Sequence, residues 1–352
     1  MDTRTLDRSL GQTIHADRCI GSLLGCACGD ILGAHFEGTT RAHIQTSHGR
    51  VHSFVGSSRY PPGTYTDDTE MTLALATSIV ECGGLNAAHC AATYAAFFAA
   101  EPHRGYGPSA STVLAMLCDG ADYRTTGTSV HKGGSYANGG AMRIAPVGLA
   151  FRHASDDVLR EAVRLALLPT HVHHEAVDAA FVQAKAVGLM ASAAGPQDID
   201  VLDVLGCLQR AAHTVVVREK LDTVIVAYRE KWRVEPVLDR LCTSNAFGKH
   251  FQIRAADAVA CVLWSFAMSI QNPERCIMET VELGGDTDTL GAMAGALAGA
   301  LHGTSWLPLR WYDNIENEGD FGRDQIIAVA SRLAELDLRS VEHADPLNSP
   351  PK

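Results

Sequence analysis

Apolar residues recur at three- and four-residue spacing over most of the chain, the period of helices that pack by one face. The pattern predicts helices over 18 to 34, 70 to 82, 86 to 100, 140 to 153, 157 to 167, 175 to 194, 200 to 213, 254 to 270, 274 to 282, 288 to 302 and 323 to 336. No run alternates apolar and polar residues convincingly at the period of two expected of a half-buried strand. The β-branched stretch Val215-Val216-Val217 is flanked by helix formers and fits a helix as well. The predicted fold class is therefore all-α.

Two of these helices carry a glycine every fourth residue: Gly21, Gly25, Gly29 and Gly33 in the first, and Gly291, Gly295, Gly299 and Gly303 near the other end. Glycine in a helix interior costs about 1 kcal/mol relative to alanine, so each stripe needs a reason. A smooth stripe lets backbones approach closely. The two helices are expected to meet each other or a third, bringing Asp30 and Glu37 near Asp286 and Asp288. The apolar run Leu290 to Leu301 is built mainly of Ala and Gly and is too short to span a bilayer. It reads as a tightly packed interior helix. Three glycine-containing loops interrupt the pattern, at Arg104 to Ser109, His131 to Gly140 and Thr243 to His250. Long loops of this kind in a helical protein commonly carry function. The second runs straight into an apolar helix, a junction where several backbone N–H groups converge and suit a phosphate.

Composition narrows the field. The 352 residues are 46% hydrophobic, enough for a substantial core, and no linker divides them. Residues 15–338 are expected to form a single domain, with 1–14 and 339–352 as poorly ordered tails. With 29 basic against 40 acidic residues the net charge is −11, and no basic run stands out, which argues against a nucleic-acid partner. Ten cysteines without a repeating framework read as reduced thiols in an intracellular, cytoplasmic protein. Cys26 and Cys28 read as small packing residues. The first 18 residues hold no signal-peptide core, no membrane association is expected, and the chain is expected to be a monomer.

The candidate chemistry lies in two acid-threonine runs, Thr66-Asp67-Asp68-Thr69 and Asp286-Thr287-Asp288-Thr289, each opening an apolar helix. Asp and Thr offer only hard oxygen ligands, and two clusters facing one another could hold one or two small divalent cations. Taken singly, each run could equally be a helix start, because Asp and Thr are preferred N-caps. His171, His173 and His174 form His-x-His-His, but no further Cys or His at ligand spacing accompanies them, as zinc would require. Trp264, Trp306 and Trp311 read as packing residues. Arg143 could pair with a phosphate or form a structural ion pair.

Read together, Gly29-Asp30 followed by Glu37, Tyr65-Thr66-Asp67-Asp68-Thr69, Arg104-Gly105-Tyr106-Gly107, Gly134-Ser135-Tyr136-Ala137-Asn138-Gly139-Gly140-Ala141-Met142-Arg143, Thr170-His171 and Leu283-Gly284-Gly285-Asp286-Thr287-Asp288-Thr289 resemble the ADP-ribosylglycohydrolase family. The six segments stand in the family's order. The Gly134 to Arg143 run favours the family's third subtype over the arginine-directed members. The resemblance implies a compact orthogonal helical bundle with a binuclear magnesium site, Mn2+ being able to substitute. Thr66, Asp67 and Asp68 would ligate one ion, Asp288 would be shared, and Asp286, Thr289 and Glu37 would complete the second. Glu37, Asp67, Asp68 and Asp288 would then be the catalytic set, with Glu37 as a movable carboxylate. Gly105, Gly107, Gly134, Ser135, Tyr136, Asn138 and His171 would bind ADP-ribose. The implied activity is hydrolysis of the O-glycosidic bond at C1 of the distal ribose, on ADP-ribosylated proteins or peptides, with serine as the expected acceptor and poly(ADP-ribose) or O-acetyl-ADP-ribose as further substrates. An arginine-directed hydrolase and a non-catalytic ADP-ribose binder are the alternatives. One departure is Val130, which stands where the family commonly has a Phe stacking on adenine. Tyr136 is left to do more of that stacking. Ser109 replaces an expected glycine.

Overall fold

The glycine stripes find each other. In the computed structural model, α1 (Thr3–Ala34) and α16 (Thr287–His302) lie antiparallel at the centre of the molecule. Gly25 faces Gly295, Gly29 faces Gly291, and Gly21 faces Gly299 and Gly303, while Gly33 faces the Thr287 carbonyl. A Cβ on any of them but Gly303, whose Cβ would meet the Asp17 carboxylate, would collide with the opposing backbone, so only glycine permits this separation. The register is pinned by Ser22 Oγ donating to the Ala296 carbonyl at 2.9 Å and Thr287 Oγ1 donating to the Gly33 carbonyl at 2.8 Å. Every residue of α16 from Thr287 to Leu301 is buried.

Residues 3–57, 60–243, 250–318 and 321–341 are described. Around the central pair stand α2 (Arg41–Ser47), α3 (Asp67–Cys82), α4 (Ala87–Ala100), α5 (Pro108–Cys118), α6 (Tyr123–Thr126), α7 (Gly139–Met142), α8 (Ala145–Ala150) and α9 (Asp156–Leu167). They are followed by α10 (His174–Ser192), α11 (Val201–Ala211), α12 (Val215–Arg229), α13 (Val234–Leu241), α14 (Ala255–Ser269), α15 (Pro273–Val281), and, after α16, α17 (Leu309–Tyr312) and α18 (Arg323–Leu333). The all-α expectation holds. Strands among the described residues are confined to two-residue pairs: β1 (Thr39–Thr40) with β2 (Gly284–Gly285), and β3 (Asn317–Glu318) with β4 (Phe321–Gly322), both antiparallel. No helix among the described residues is long and apolar enough to cross a membrane.

Several expectations are corrected. α1 begins at Thr3, so residues 3 to 14, expected as a poorly ordered tail, are helical; residues 342–352 of the other tail lie outside the described residues. The helix expected over 140 to 153 is two short ones, because Pro146 has no N–H to donate and its ring is tolerated only in a first turn, here that of α8. Helices α2, α5, α6, α13 and α17 were not expected, and α12 only to the extent that Val215 to Val217, which open it, fitted a helix.

Candidate active site

Asp30, near the C-terminal end of α1, decides where α3 begins. Its buried carboxylate accepts from Thr66 N at 3.0 Å, Thr66 Oγ1 at 2.8 Å, Thr69 N at 3.0 Å and Thr69 Oγ1 at 2.5 Å. The cap of α3 is thus supplied from another helix, and Thr66, at the N-cap position, makes no capping bond of its own. At α16 too the N-cap residue, Asp286, makes no side-chain cap bond. The two runs do sit at helix starts. Yet Asp67, Asp68, Asp286 and Asp288 are not consumed as caps for the first turn, apart from Asp288 Oδ1, which accepts from Thr289 N at 2.9 Å.

The runs face each other. The Thr289 side chain stands beside the carboxylates of both Asp68 and Asp286 and favours their ionised forms. Glu37, which follows α1 and precedes β1, brings a carboxylate oxygen within 4.8 Å of oxygens of Asp286 and Asp288. The β1–β2 ladder, pairing Thr39 with Gly285 and Thr40 with Gly284, sets this approach. Glu37 is exposed, Asp67 is half-buried, and Thr66, Asp68, Asp286, Asp288 and Thr289 are buried. Burial first, then repulsion from neighbouring carboxylates, pushes Asp67 up to about 8 and Asp68 and Asp288 well above the ordinary carboxylate range. Burial also raises Asp286 and lifts Asp30 to about 6, the threonine bonds opposing the latter. Asp68 Oδ1 is buried without a hydrogen-bond partner. An all-oxygen donor set, with mutually repelling carboxylates and an orphaned oxygen, fits a hard divalent cation.

The glycine loops converge on this cluster. Asp67 N donates to the Arg104 carbonyl at 2.8 Å, and Gly105 lies beside Asp67 and Thr66. Arg104 stacks over Tyr65, donates to its carbonyl at 3.1 Å and pairs with Glu316. Gly107 is exposed and caps α5. Ser109 Oγ meets His131 Nε2 at 2.9 Å, joining the first loop to the second. In that second loop Gly134 takes φ +90° and packs against Val172 and His173, a place no side chain could occupy. Ser135 Oγ accepts from Ala137 N at 3.2 Å. Tyr136 is 45% exposed, its ring nearly perpendicular to that of His173, whereas Val130 is also exposed but aliphatic. His171 is buried against Gly139; burial, then Arg143 and His131, hold it neutral, down at about 3. Of the Thr243 to His250 loop, residues 244–249 lie outside the described residues.

Some side chains are employed differently from expectation. Asn138, expected on substrate, donates from Nδ2 to Asp286 Oδ2 at 2.6 Å and to the Gln252 carbonyl at 3.0 Å. Arg143 forms no ion pair among the described residues: it donates to the Gly139 carbonyl at 2.9 Å and to Thr170 Oγ1, and stands over Tyr94. His173 caps α10, accepting from Glu175 N at 3.3 Å, and His174 is exposed and stacks on the His173 ring. Trp264 and Trp311 are core residues, and Trp306 packs beside Trp311. Gln252 was missed. It is fully buried, and its Oε1 accepts from Asp286 N at 3.0 Å; nothing in the local sequence signals it.

The family model described as ADP-ribosylglycohydrolase matches residues 11–342. The chain is similar to ADP-ribosylhydrolase ARH3 of Mus musculus, 29% identical over 333 residues, covering 86% of this chain and 89% of that protein. The protein of the same name from Xenopus tropicalis is 30% identical, with 85% and 91% covered. ADP-ribosyl-[dinitrogen reductase] glycohydrolase of Rhodospirillum rubrum is 28% identical, with 87% and 92% covered. A solved structure, titled ADP-ribosylglycohydrolase-related protein complex, superposes with a TM-score of 0.70 at 26% identity, covering 93% of this chain and 100% of that one.

Proposed function

The chain belongs to the ADP-ribosylglycohydrolase family, hydrolases of glycosyl bonds, and from that premise we propose that it is a magnesium-dependent hydrolase of O-linked ADP-ribose, acting on ADP-ribosyl-serine. The observation that carries the reading is the group of Glu37, Asp286 and Asp288, with oxygens within 4.8 Å of one another, opposite Asp68 and beside the loop of Gly134 to Asn138. Thr66, Asp67 and Asp68 would hold one ion, Asp286, Thr289 and Glu37 a second, with Asp288 between them. Bound there, the metal would supply fixed positive charge to orient the ribose hydroxyls and to acidify a water.

The remaining chemistry falls to the chain. Cleavage at ribose C1 passes through an oxocarbenium-like state, which needs a positioned sugar, a delivered water and a basic group. Glu37 is the exposed carboxylate of the cluster and follows a helix end, so it can reach a water at the mouth of the site; we assign it as general base. Gly107 has open space where a side chain would stand, Gly105 and Gly134 take the positive φ that shapes their loops, and a diphosphate would lie along these loops beside Ser135, with Tyr136 available to adenine. Neutral His171 cannot add charge to this region but backs the Gly139 turn.

The similarity to a relative named for dinitrogen reductase keeps arginine-type N-glycosides as the competing linkage. One assay decides between them. Serine-linked and arginine-linked ADP-ribosyl peptides are incubated with the protein in Mg2+ or EDTA, and free ADP-ribose is measured. Release from the serine peptide in Mg2+ alone is expected, with Glu37→Gln slower by about 100-fold or more. Release only from the arginine peptide would reverse the linkage, and metal-independent release would remove the metal from the mechanism.

A further inference from the structure

Between the acid cluster and the loop of Gly134 to Asn138 runs a short strap, residues 250 to 254, that leads into α14. Ala137 pairs antiparallel with Arg254, Asn138 N donates to the Ile253 carbonyl at 2.9 Å, and Ala255 N donates to the Tyr136 carbonyl at 3.0 Å. The substrate loop is therefore bonded to the strap much as one strand to another. At its centre Gln252 is fully buried, and each polar group of its side chain is used. Oε1 accepts from Asp286 N, and Nε2 donates to Cys242 Sγ at 3.5 Å. Its backbone carbonyl accepts from Asn138 Nδ2, the same amide that donates to the Asp286 carboxylate.

These bonds close a ring. Asp286 is held at its main chain by Gln252 and at its side chain by Asn138, and the two holders are bonded to each other. The approach depends on Gly285, which takes φ +87° and where any Cβ would collide with Gln252 Oε1 and the His250 carbonyl. Without the carboxamide, Asp286 N would be a buried donor with no partner, and the main chain would turn to satisfy it. Groups that orient a ligating carboxylate in this way commonly matter to metal affinity nearly as much as the ligand itself.

We propose that Gln252 is a positioning residue that fixes the Asp286 carboxylate for metal binding and ties it to the loop carrying Tyr136, so that metal and ADP-ribose bind cooperatively. The inference rests on the reading of the acid cluster as a metal centre. Coupling of this kind is reciprocal: whatever factor ADP-ribose adds to metal affinity, metal adds to ADP-ribose affinity.

The test is titration calorimetry of the purified protein with Mn2+, with and without ADP-ribose, and with ADP-ribose, with and without Mn2+. The parent protein is expected to show equal coupling factors in both directions. Gln252→Met keeps the volume but loses the acceptor. It is expected to weaken Mn2+ binding by about 10- to 100-fold and bring the coupling toward one. Gln252→Glu restores an acceptor for Asp286 N and is expected to recover most of the affinity. A merely structural role would lower the melting temperature of Gln252→Met and leave both binding curves unchanged, which would overturn the proposal. Should Gln252→Met fail to fold, Cys242→Ala removes the far anchor of the carboxamide together with a contact to Cys261 Sγ at 3.7 Å, remote from Asp286, and coupling unchanged in that variant would equally overturn it. A parent protein that binds no Mn2+ would sink the metal reading and this inference together, whereas equal binding by parent and Gln252→Met sinks the inference alone.

Discussion

Asp30 is fully buried and accepts from two backbone N–H groups and two hydroxyls of the Thr66 to Thr69 run. Its neighbours at the cluster are carboxylates, so its own charge is costly there, and burial raises it to about 6. Four donors offset that cost, and they also leave Asp67 and Asp68 free of capping work. Asp30→Ala would strand two buried N–H groups, each worth about 1 to 3 kcal/mol when unsatisfied, and open a small void. We expect a loss of about 3 kcal/mol in urea unfolding of the metal-free protein, with the start of α3 losing protection in hydrogen exchange. Unchanged stability and protection would show that the threonines find other acceptors. The residue scale also separates what a motif can and cannot announce. Gly29-Asp30 is conspicuous in the sequence, but its task becomes visible only when Thr66 and Thr69 are placed over it.

At the scale of elements, the crossing of α1 and α16 sets the site. Asp30 and Glu37 ride on or just beyond α1, and Asp286, Asp288 and Thr289 open α16, so the separation of these two helices fixes the gap between the acid groups. Gly295→Ala puts a methyl group into the Gly25 backbone, which is main chain rather than a flexible side chain. We expect destabilisation of about 3 kcal/mol or more, since overpacking commonly costs about 1 to 3 kcal/mol and here no side chain can yield. Alanine is the better helix former, so an isolated-helix argument predicts the opposite sign. A melting temperature equal to or above that of the parent would refute the close crossing. The crossing was legible because glycines repeated at a period of four disfavour a helix unless two backbones nearly touch along them. Most of the long amphipathic helices were legible too, their apolar faces being repeated over several turns, but α12 was read no further than a β-branched stretch that could be helix. The short ones were not: α7 and α17 are four residues each, and α5 hides behind Pro108 after a glycine loop. The ladder of Thr39 and Thr40 with Gly285 and Gly284 is too short to carry a period, and Gln252 reaches the site through partners 34 residues further on and 114 residues back.

For the molecule as a whole, charge and burial set how stability responds to acid. His15 and His171 are both buried, and burial, followed by nearby positive charge, lowers them to about 4 and about 3, from an ordinary 6.5. The unfolded chain takes up these protons near pH 6.5 while the folded chain refuses them. Their contribution to stability is therefore complete above about pH 6.5 and is lost as pH falls toward the folded values. At about pH 5 each histidine lags its unfolded value by about 1.5 pH units, or about 2 kcal/mol. The acid cluster acts with the opposite sign when no metal is present, because Asp67, raised to about 8, is protonated in the folded state before the unfolded one and gains stability as pH falls from about 8. A divalent cation holds those carboxylates ionised and removes that gain. The metal-loaded protein is thus expected to lose about 4 kcal/mol between about pH 7.5 and about pH 5 from the two histidines, and the metal-free protein distinctly less. Urea unfolding at the two pH values, in saturating Mn2+ and in EDTA, measures both slopes. His15→Gln should flatten each by about 2 kcal/mol without touching the site, since His15 lies in α1 with Cys19 Sγ 3.3 Å from its ring. Parallel slopes in Mn2+ and EDTA would mean that the carboxylates are not ionised by metal, and an unchanged slope in His15→Gln would mean that its ring is not held neutral by the fold.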